Sequence, residues 1–184
     1  MKHNCIASAL AASLLFSSLA FAGERVAVWP KGKMPHRQEH QIAAMTDEAA
    51  QKGFKADKHR TAYIEWYDAP KADVRNGACM ILISGGGYNS CCDVKLVAGW
   101  AEKLTALGFQ CVNFVYRTPR PTGLPIWQTA WEDGQRAVRM VRKDAEKRGF
   151  DPEKIGTISM SAGSHLALLL GTSSQTKAYE PIDA

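Results

Sequence analysis

Residues 155–171 read IGTISMSAGSHLALLLG, in which a strand, a sharp turn and a helix follow one another directly. The β-branched residues up to Ser159 predict a strand, and the apolar run Ala162–Leu170 predicts a helix. The chain must therefore turn sharply at Ser161. A turn this tight strains the backbone of its central residue and needs small residues on both sides, which Ser159 and Gly163 are.

A second unusual segment, Ser84–Tyr88 (SGGGY), follows the continuous apolar run Cys79–Ile83. Such a run predicts a strand that is buried on both faces. Three successive glycines let the backbone approach a ligand closely and turn its N–H groups inward. The segment has neither the G-x-x-x-x-G-K-[ST] pattern nor the G-x-G-x-x-G pattern, so it does not indicate a phosphate-binding loop.

Strands and helices alternate through the rest of the chain. Strands are predicted at 26–29, 61–67, 79–83, 109–116 and 155–159, and helices at 41–51, 96–107, 127–148 and 162–170. This alternation predicts an α/β fold with a mostly parallel sheet and helices on both faces. Ligands of such sheets bind beyond the carboxyl ends of the strands, where both unusual segments lie.

Together the two segments predict an acyl-transfer hydrolase scaffold. The start of the helix places unpaired N–H groups and partial positive charge beside Ser161, which favours an oxyanion. The glycine segment can supply further N–H donors to the same oxygen. Taken alone, S-x-S-x-G also fits an ordinary helix N-cap, and three glycines also fit a flexible turn. Their occurrence after two strands of the same predicted parallel sheet favours the hydrolase.

The chain resembles the secreted bacterial esterases of the acetylxylan-esterase and feruloyl-esterase-like group, α/β-hydrolases related to the hormone-sensitive-lipase-like esterases. The resemblance runs from about Trp29 to the end, and it is carried by ILISGGGY (81–88), FVYR (114–117), DGQRAVRMV (133–141) and DPEKIGTISMSAGSHLA (151–167). It implies that Ser161 is the nucleophile and that the N–H groups of Gly86, Gly87 and Ala162 form the oxyanion hole. Ser84 stands where the family usually has His or Pro.

The resemblance also implies an activity. We expect a carboxylic ester hydrolase that acts on acylated carbohydrate, such as acetylated xylan, through an acyl-enzyme on Ser161. It would need no metal and no cofactor, and its partner would be a small-molecule or polysaccharide ester. Two alternatives stay open: a serine peptidase of the prolyl-oligopeptidase type, and an inactive, truncated protein that binds glycans.

The partners of the serine are harder to find. Serine needs a general base, and in this family the acid and then the histidine follow the nucleophile along the chain. The 23 residues after Ser161 contain one histidine, His165, and two acids, Glu180 and Asp183. His165 lies one helical turn after Ser161, so we expect it to pack or to hydrogen-bond in the core. We therefore expect a C-terminally truncated chain that lacks the Asp and His of the triad and the last strands of the fold.

Residues 1–22 have the pattern of a secretory signal peptide, with a basic start at Lys2, an uncharged apolar run and a small-x-small end at Ala22. We expect cleavage there, a secreted or periplasmic bacterial location, and no membrane association afterwards. Residues 23–184 then form the N-terminal part of an α/β-hydrolase domain. The four cysteines that remain allow three pairings, and the sequence does not choose between them.

Composition and charge fit a folded domain. The chain has 184 residues, of which 46% are hydrophobic and 22% charged, and this excludes a disordered chain. The formal charge is +5, with acids interspersed, so it does not indicate nucleic-acid binding. Basic and acidic residues also interleave on the predicted helix 127–148, where we expect Asp133 to hydrogen-bond at the start of the helix.

Overall fold

A computed structural model describes residues 23–43, 62–91 and 94–182, and these residues form five strands and five helices. The strands are β1 (Arg25–Ala27), β2 (Tyr63–Trp66), β3 (Cys79–Ile83), β4 (Gln110–Val115) and β5 (Ile155–Ser159). The helices are α1 (Glu39–Ala43), α2 (Val94–Ala106), α3 (Gln128–Lys143), α4 (Ala145–Arg148) and α5 (Ala162–Thr172). Each strand predicted from the sequence is present. The predicted signal peptide and most of the predicted helix 41–51 lie outside the described residues.

The sheet is mixed, with the strand order β1-β2-β4-β3-β5. Strands β4, β3 and β5 are parallel, as expected for strands that helices connect, whereas β1 and β2 add to the sheet in the antiparallel sense. Parallel strands need a crossover connection, which is usually a helix. No helix lies between β2 and β3 in the described residues, so β2 is not required to run parallel to the other strands. At the carboxyl end of β3, Ile83 lies opposite Phe114 of β4 and Ser159 of β5. The three parallel strands therefore end at a common edge.

Helices cover both faces of the sheet. Ile81 and Ile83 of β3 pack in the core that includes α3 and α5. Leu82, between them, points to the opposite face and packs with Val97 and Ala101 of α2. The apolar run of β3 is thus buried on both faces, as predicted from its sequence.

The long helix expected over 127–148 is divided into two. Asp144 separates α3 from α4 with a φ of −84° and a ψ of 0°, and its N–H group still donates to the carbonyl oxygen of Met140 at 3.1 Å. The short α4 ends at Gly149, whose φ of 74° lies in the left-handed region that glycine favours at helix ends. In the described ranges, no helix is both long and apolar enough to cross a membrane.

Two cysteines of the described chain, Cys79 and Cys111, are buried free thiols. Burial raises the pKa of Cys79 to about 12 and that of Cys111 to about 11. Both thiols therefore stay protonated at neutral pH, and a protonated thiol is a poor nucleophile. Pairings that would involve Cys92 lie outside the described residues.

A buried charge cluster connects the end of β4 to α3. Arg117, whose side chain is 2% exposed, donates from Nε to Asp133 Oδ1 at 2.8 Å and from Nη2 to Glu132 Oε2 at 2.9 Å. Trp29 Nε1 also donates to Asp133 Oδ1, at 2.6 Å. Burial raises the pKa of Asp133, while the Arg117 charge and the Trp29 donor lower it. Asp133, in the first half of α3, therefore hydrogen-bonds as expected, and its partners Arg117 and Trp29 come from other parts of the chain.

Replacing Arg117 with Met will destabilise the protein strongly, because two buried carboxylates lose their cation. Removal of one partner of a buried ion pair typically costs about 3–5 kcal/mol. The matched control is Arg37→Met, since Arg37 pairs with Glu39 at 3.3 Å in an exposed position, and such pairs contribute about 1 kcal/mol or less. The urea unfolding midpoint of each variant measures its loss of stability. Equal midpoints for the two variants would contradict the structural role given to Arg117.

Candidate active site

Ser161 occupies a strained turn between β5 and α5. Its φ is 53° and its ψ is −124°, outside the regions that a serine normally adopts. The turn is held by backbone hydrogen bonds: the N–H of Met160 donates to the Ile83 carbonyl at 3.2 Å, and the N–H of Gly163 donates to the Met160 carbonyl at 2.9 Å. The Ser161 side chain is exposed. The sharp turn and the strain predicted from the sequence are therefore present.

Gly163 explains why the turn is so tight. A Cβ atom on Gly163 would overlap the carbonyl oxygen of Ile83 and would lie 2.5 Å from that of Ser84. The first turn of α5 is thus in direct backbone contact with the end of β3. On the other side of the turn, the Ser159 hydroxyl donates to Ser164 Oγ at 3.3 Å. Both flanking positions are small residues, as the sequence argument required.

The glycine segment lies against this turn. A Cβ atom on Gly85 would be 2.8 Å from Ser161 Cβ and 3.5 Å from Ser161 Oγ. Beyond it, Gly86 has a φ of 138° and Gly87 a φ of 61°. The Gly86 carbonyl accepts the N–H group of Asn89 at 3.0 Å, which closes the segment into a turn. The structure thus places Gly85, the first glycine of the segment, directly against Ser161.

Tyr88 and His165 form a contact that the sequence did not suggest. The Tyr88 hydroxyl is 2.8 Å from Nδ1 of His165. Tyr88 is buried, and burial raises the pKa of its hydroxyl to about 12, so it stays neutral. His165 does hydrogen-bond, as expected, but its side chain is exposed and not in the core. The two residues are 77 positions apart in the chain, and no local sequence pattern predicts a contact between them.

The Ser161 hydroxyl has no hydrogen-bonded acid or base among the described residues. The described histidines have other partners, which are Glu132 for His36, the Arg120 carbonyl for His40 and Tyr88 for His165. Glu180 is 3.9 Å from Lys177, and Asp183 lies outside the described residues. In the same part of the chain, no three His, Cys, Asp or Glu side chains are grouped as metal ligands.

Comparison with known proteins identifies the family. The BD-FAE family model matches residues 67–183, which is more than half of the chain and includes both the glycine segment and Ser161. The chain belongs to the BD-FAE family. The family resemblance inferred from the sequence motifs is therefore confirmed.

Two curated relatives match parts of the chain. Endo-1,4-beta-xylanase B of Butyrivibrio fibrisolvens is 35% identical over 88 residues, which are 48% of this chain and 14% of the xylanase. Esterase LipQ of Mycobacterium tuberculosis is 29% identical over 117 residues, which are 63% of this chain and 27% of the esterase. The matched stretch thus spans less than a third of each curated relative.

The fold is that of the α/β-hydrolases. The solved structure of an acetyl ester-xyloside bifunctional hydrolase from Caldicellulosiruptor lactoaceticus superposes with a TM-score of 0.59 at 23% identity. The superposition covers 85% of this chain and 49% of that protein. The expected fold class is confirmed, with the mixed sheet described above.

Gly163→Ala will destabilise the BD-FAE domain, because the added methyl group meets two backbone carbonyls that cannot move independently of β3. Overpacking of this kind costs about 1–3 kcal/mol. Gly171→Ala is the matched control: Gly171 also lies in α5, and a Cβ atom there meets nothing within 4 Å. It should be neutral or stabilising by up to about 1 kcal/mol. Thermal unfolding of both variants tests the difference, and a stable Gly163→Ala protein would refute the close contact.

Proposed function

We propose that the protein is a serine hydrolase that cleaves carboxylic esters of acylated carbohydrate through an acyl-enzyme on Ser161. The observation that carries this proposal is the backbone of Ser161. A φ of 53° is costly for a serine, by about 1–3 kcal/mol. It leaves the hydroxyl exposed at the carboxyl edge of the sheet, next to Gly85. Strained residues of this kind concentrate at active sites.

The chemistry follows from the groups around Ser161. In the proposed reaction Ser161 Oγ attacks the acyl carbonyl carbon, and the carbonyl oxygen becomes negatively charged. The N–H groups of Gly86, Gly87 and Ala162 donate to that oxygen, with support from the positive end of α5. Collapse of the intermediate breaks the ester C–O bond and expels the sugar oxygen, which receives from the general base the proton that Ser161 gave up. Water then attacks the acyl-enzyme, releases the carboxylic acid and restores the serine.

Activation of Ser161 requires a general base. Since His36, His40 and His165 each have another partner, we place the base, and the acid that orients it, outside the described residues. The family order of serine, acid and histidine along the chain supports this assignment.

The substrate class rests on the relatives. One relative is named as a xylanase, another as an esterase, and the superposed structure is named as an acetyl ester-xyloside hydrolase. These names combine ester cleavage with xylose-containing carbohydrate, and this supports an acylated glycan as the substrate. An exported enzyme would meet such a polymer, so we retain residues 1–22 as the proposed signal peptide and 23–184 as part of the catalytic domain.

Ser161→Ala in the full-length protein will abolish hydrolysis of p-nitrophenyl acetate and labelling by a fluorophosphonate probe, because both need the serine oxygen. The wild-type protein should cleave the acetate and leave a dipeptide anilide intact. Cleavage of the anilide instead would favour the peptidase. A folded wild-type protein that takes no label would favour the non-catalytic glycan-binding alternative and overturn the proposal.

Gly85→Ala will lower kcat for p-nitrophenyl acetate by about 10²-fold, since a methyl group 2.8 Å from Ser161 Cβ must push the glycine segment away from the serine. Gly99→Ala serves as the control, because Gly99 lies in α2 and its added Cβ atom would meet nothing within 4 Å. The steady-state kcat of each variant for p-nitrophenyl acetate is compared with that of the wild type. Wild-type kcat in Gly85→Ala would show that the contact is not used in catalysis.

A further inference from the structure

Within the glycine segment, Gly85 packs against Ser161 and the Gly86 carbonyl accepts two backbone N–H groups, but Gly87 makes no comparable contact. A Cβ atom on Gly87 would meet nothing within 4 Å, so this residue lies in open space, and it is exposed. Gly86, Gly87 and Tyr88 have successive positive φ values of 138°, 61° and 62°. Glycine gains no packing from a side chain and has many accessible conformations. An oxyanion hole, by contrast, needs its donors fixed to within fractions of an ångström.

Tyr88 directly follows the three glycines, and its side chain reaches α5. Its ring is buried, packs against Tyr116 at 5.6 Å between centroids, and meets the His165 ring edge-on at 6.0 Å. Its hydroxyl is 2.8 Å from His165 Nδ1. Tyr88 is neither glycine nor asparagine, so its φ of 62° is unfavourable unless such contacts hold it.

His165 connects this anchor to the nucleophile. It lies on α5, one turn after Ser161, and its backbone N–H donates to the Ser161 carbonyl at 3.2 Å. One residue therefore contacts Ser161 through its backbone and Tyr88 through its side chain. Two successive hydrogen bonds therefore join the segment to the serine, in addition to the direct contact of Gly85 with Ser161.

We propose that the Tyr88–His165 hydrogen bond pins the glycine segment to α5 and so sets the distance between Ser161 and the N–H groups of Gly86 and Gly87. Tyr88 and His165 are then positioning residues of the oxyanion hole. This inference rests on the proposed function, because the segment needs a fixed position only if its N–H groups bind an oxyanion.

The first test measures catalysis by the full-length protein. Tyr88→Phe keeps the ring and removes the hydroxyl, and loss of one neutral hydrogen bond should lower kcat about fivefold, with KM within twofold of wild type. Titration with the fluorophosphonate probe counts the competent Ser161, so a loss of folded protein does not count as a loss of kcat. Tyr67→Phe removes the hydroxyl of another buried tyrosine, near the start of β4, and should leave kcat unchanged.

A double-mutant cycle tests whether the two side chains act together. His165→Leu should lower kcat as much as Tyr88→Phe, and the double variant should lower it no further. His165→Gln keeps a polar group that reaches towards the Tyr88 hydroxyl, so it should recover part of the loss. Additive losses, or a change confined to KM, would overturn the proposal.

Hydrogen exchange decides the question independently of activity. In Tyr88→Phe the amides of residues 86–90 should exchange at least about fivefold faster, while those of β3 stay as in wild type. Unchanged exchange at 86–90 would overturn the inference even in an active enzyme. If the wild-type protein takes no fluorophosphonate label, the proposed function fails, and faster exchange would still support the pinning of the segment.

Discussion

The close approach of α5 to the end of β3 is the constraint on which the site depends. The Ile83 carbonyl accepts the Met160 N–H group and lies against the α-carbon of Gly163, where no side chain fits. A helix that starts so near a strand leaves no room for a relaxed turn, so Ser161 takes a positive φ. Gly85 closes the space from the other side. The Ser161 hydroxyl is therefore held at the exposed edge of the sheet by a backbone that is confined on both sides.

The rest of the fold supports this confinement. Arg117 and Asp133 fix α3 to the end of β4 through buried charges that satisfy one another. Helix α3 in turn approaches α5 closely, since a Cβ atom on Gly134 would lie 3.0 Å from the Leu170 side chain. Helix α5 carries Ser161 at its start. The Arg117–Asp133 ion pair thus fixes the position of α3, which α5 and its Ser161 turn approach closely. The pair positions these helices more than it adds net stability.

The sequence predicted those features of the site that are local. Apolar runs located the strands, and small residues around Ser161 together with the glycines at 85–87 located the turn and the segment beside it. Features that depend on distant partners were missed or misplaced. The Tyr88–His165 contact joins positions without a shared periodicity, the bonding of Asp133 to Trp29 requires knowledge of the strand order, and the antiparallel pairing of β2 depends on tertiary contacts. The break at Asp144 occurs in a sequence with ordinary helical propensity.

The strand order has a consequence for where a label can be attached to the protein. Strands β1 and β5 are the two outermost strands of the described sheet, four interstrand spacings apart. At about 4.8 Å for each spacing, they are separated laterally by about 19 Å. The chain enters the sheet at β1, and Ser161 follows β5. A fluorescent label at Gly23, just ahead of β1, would therefore lie on the flank of the described sheet opposite to β5 and Ser161.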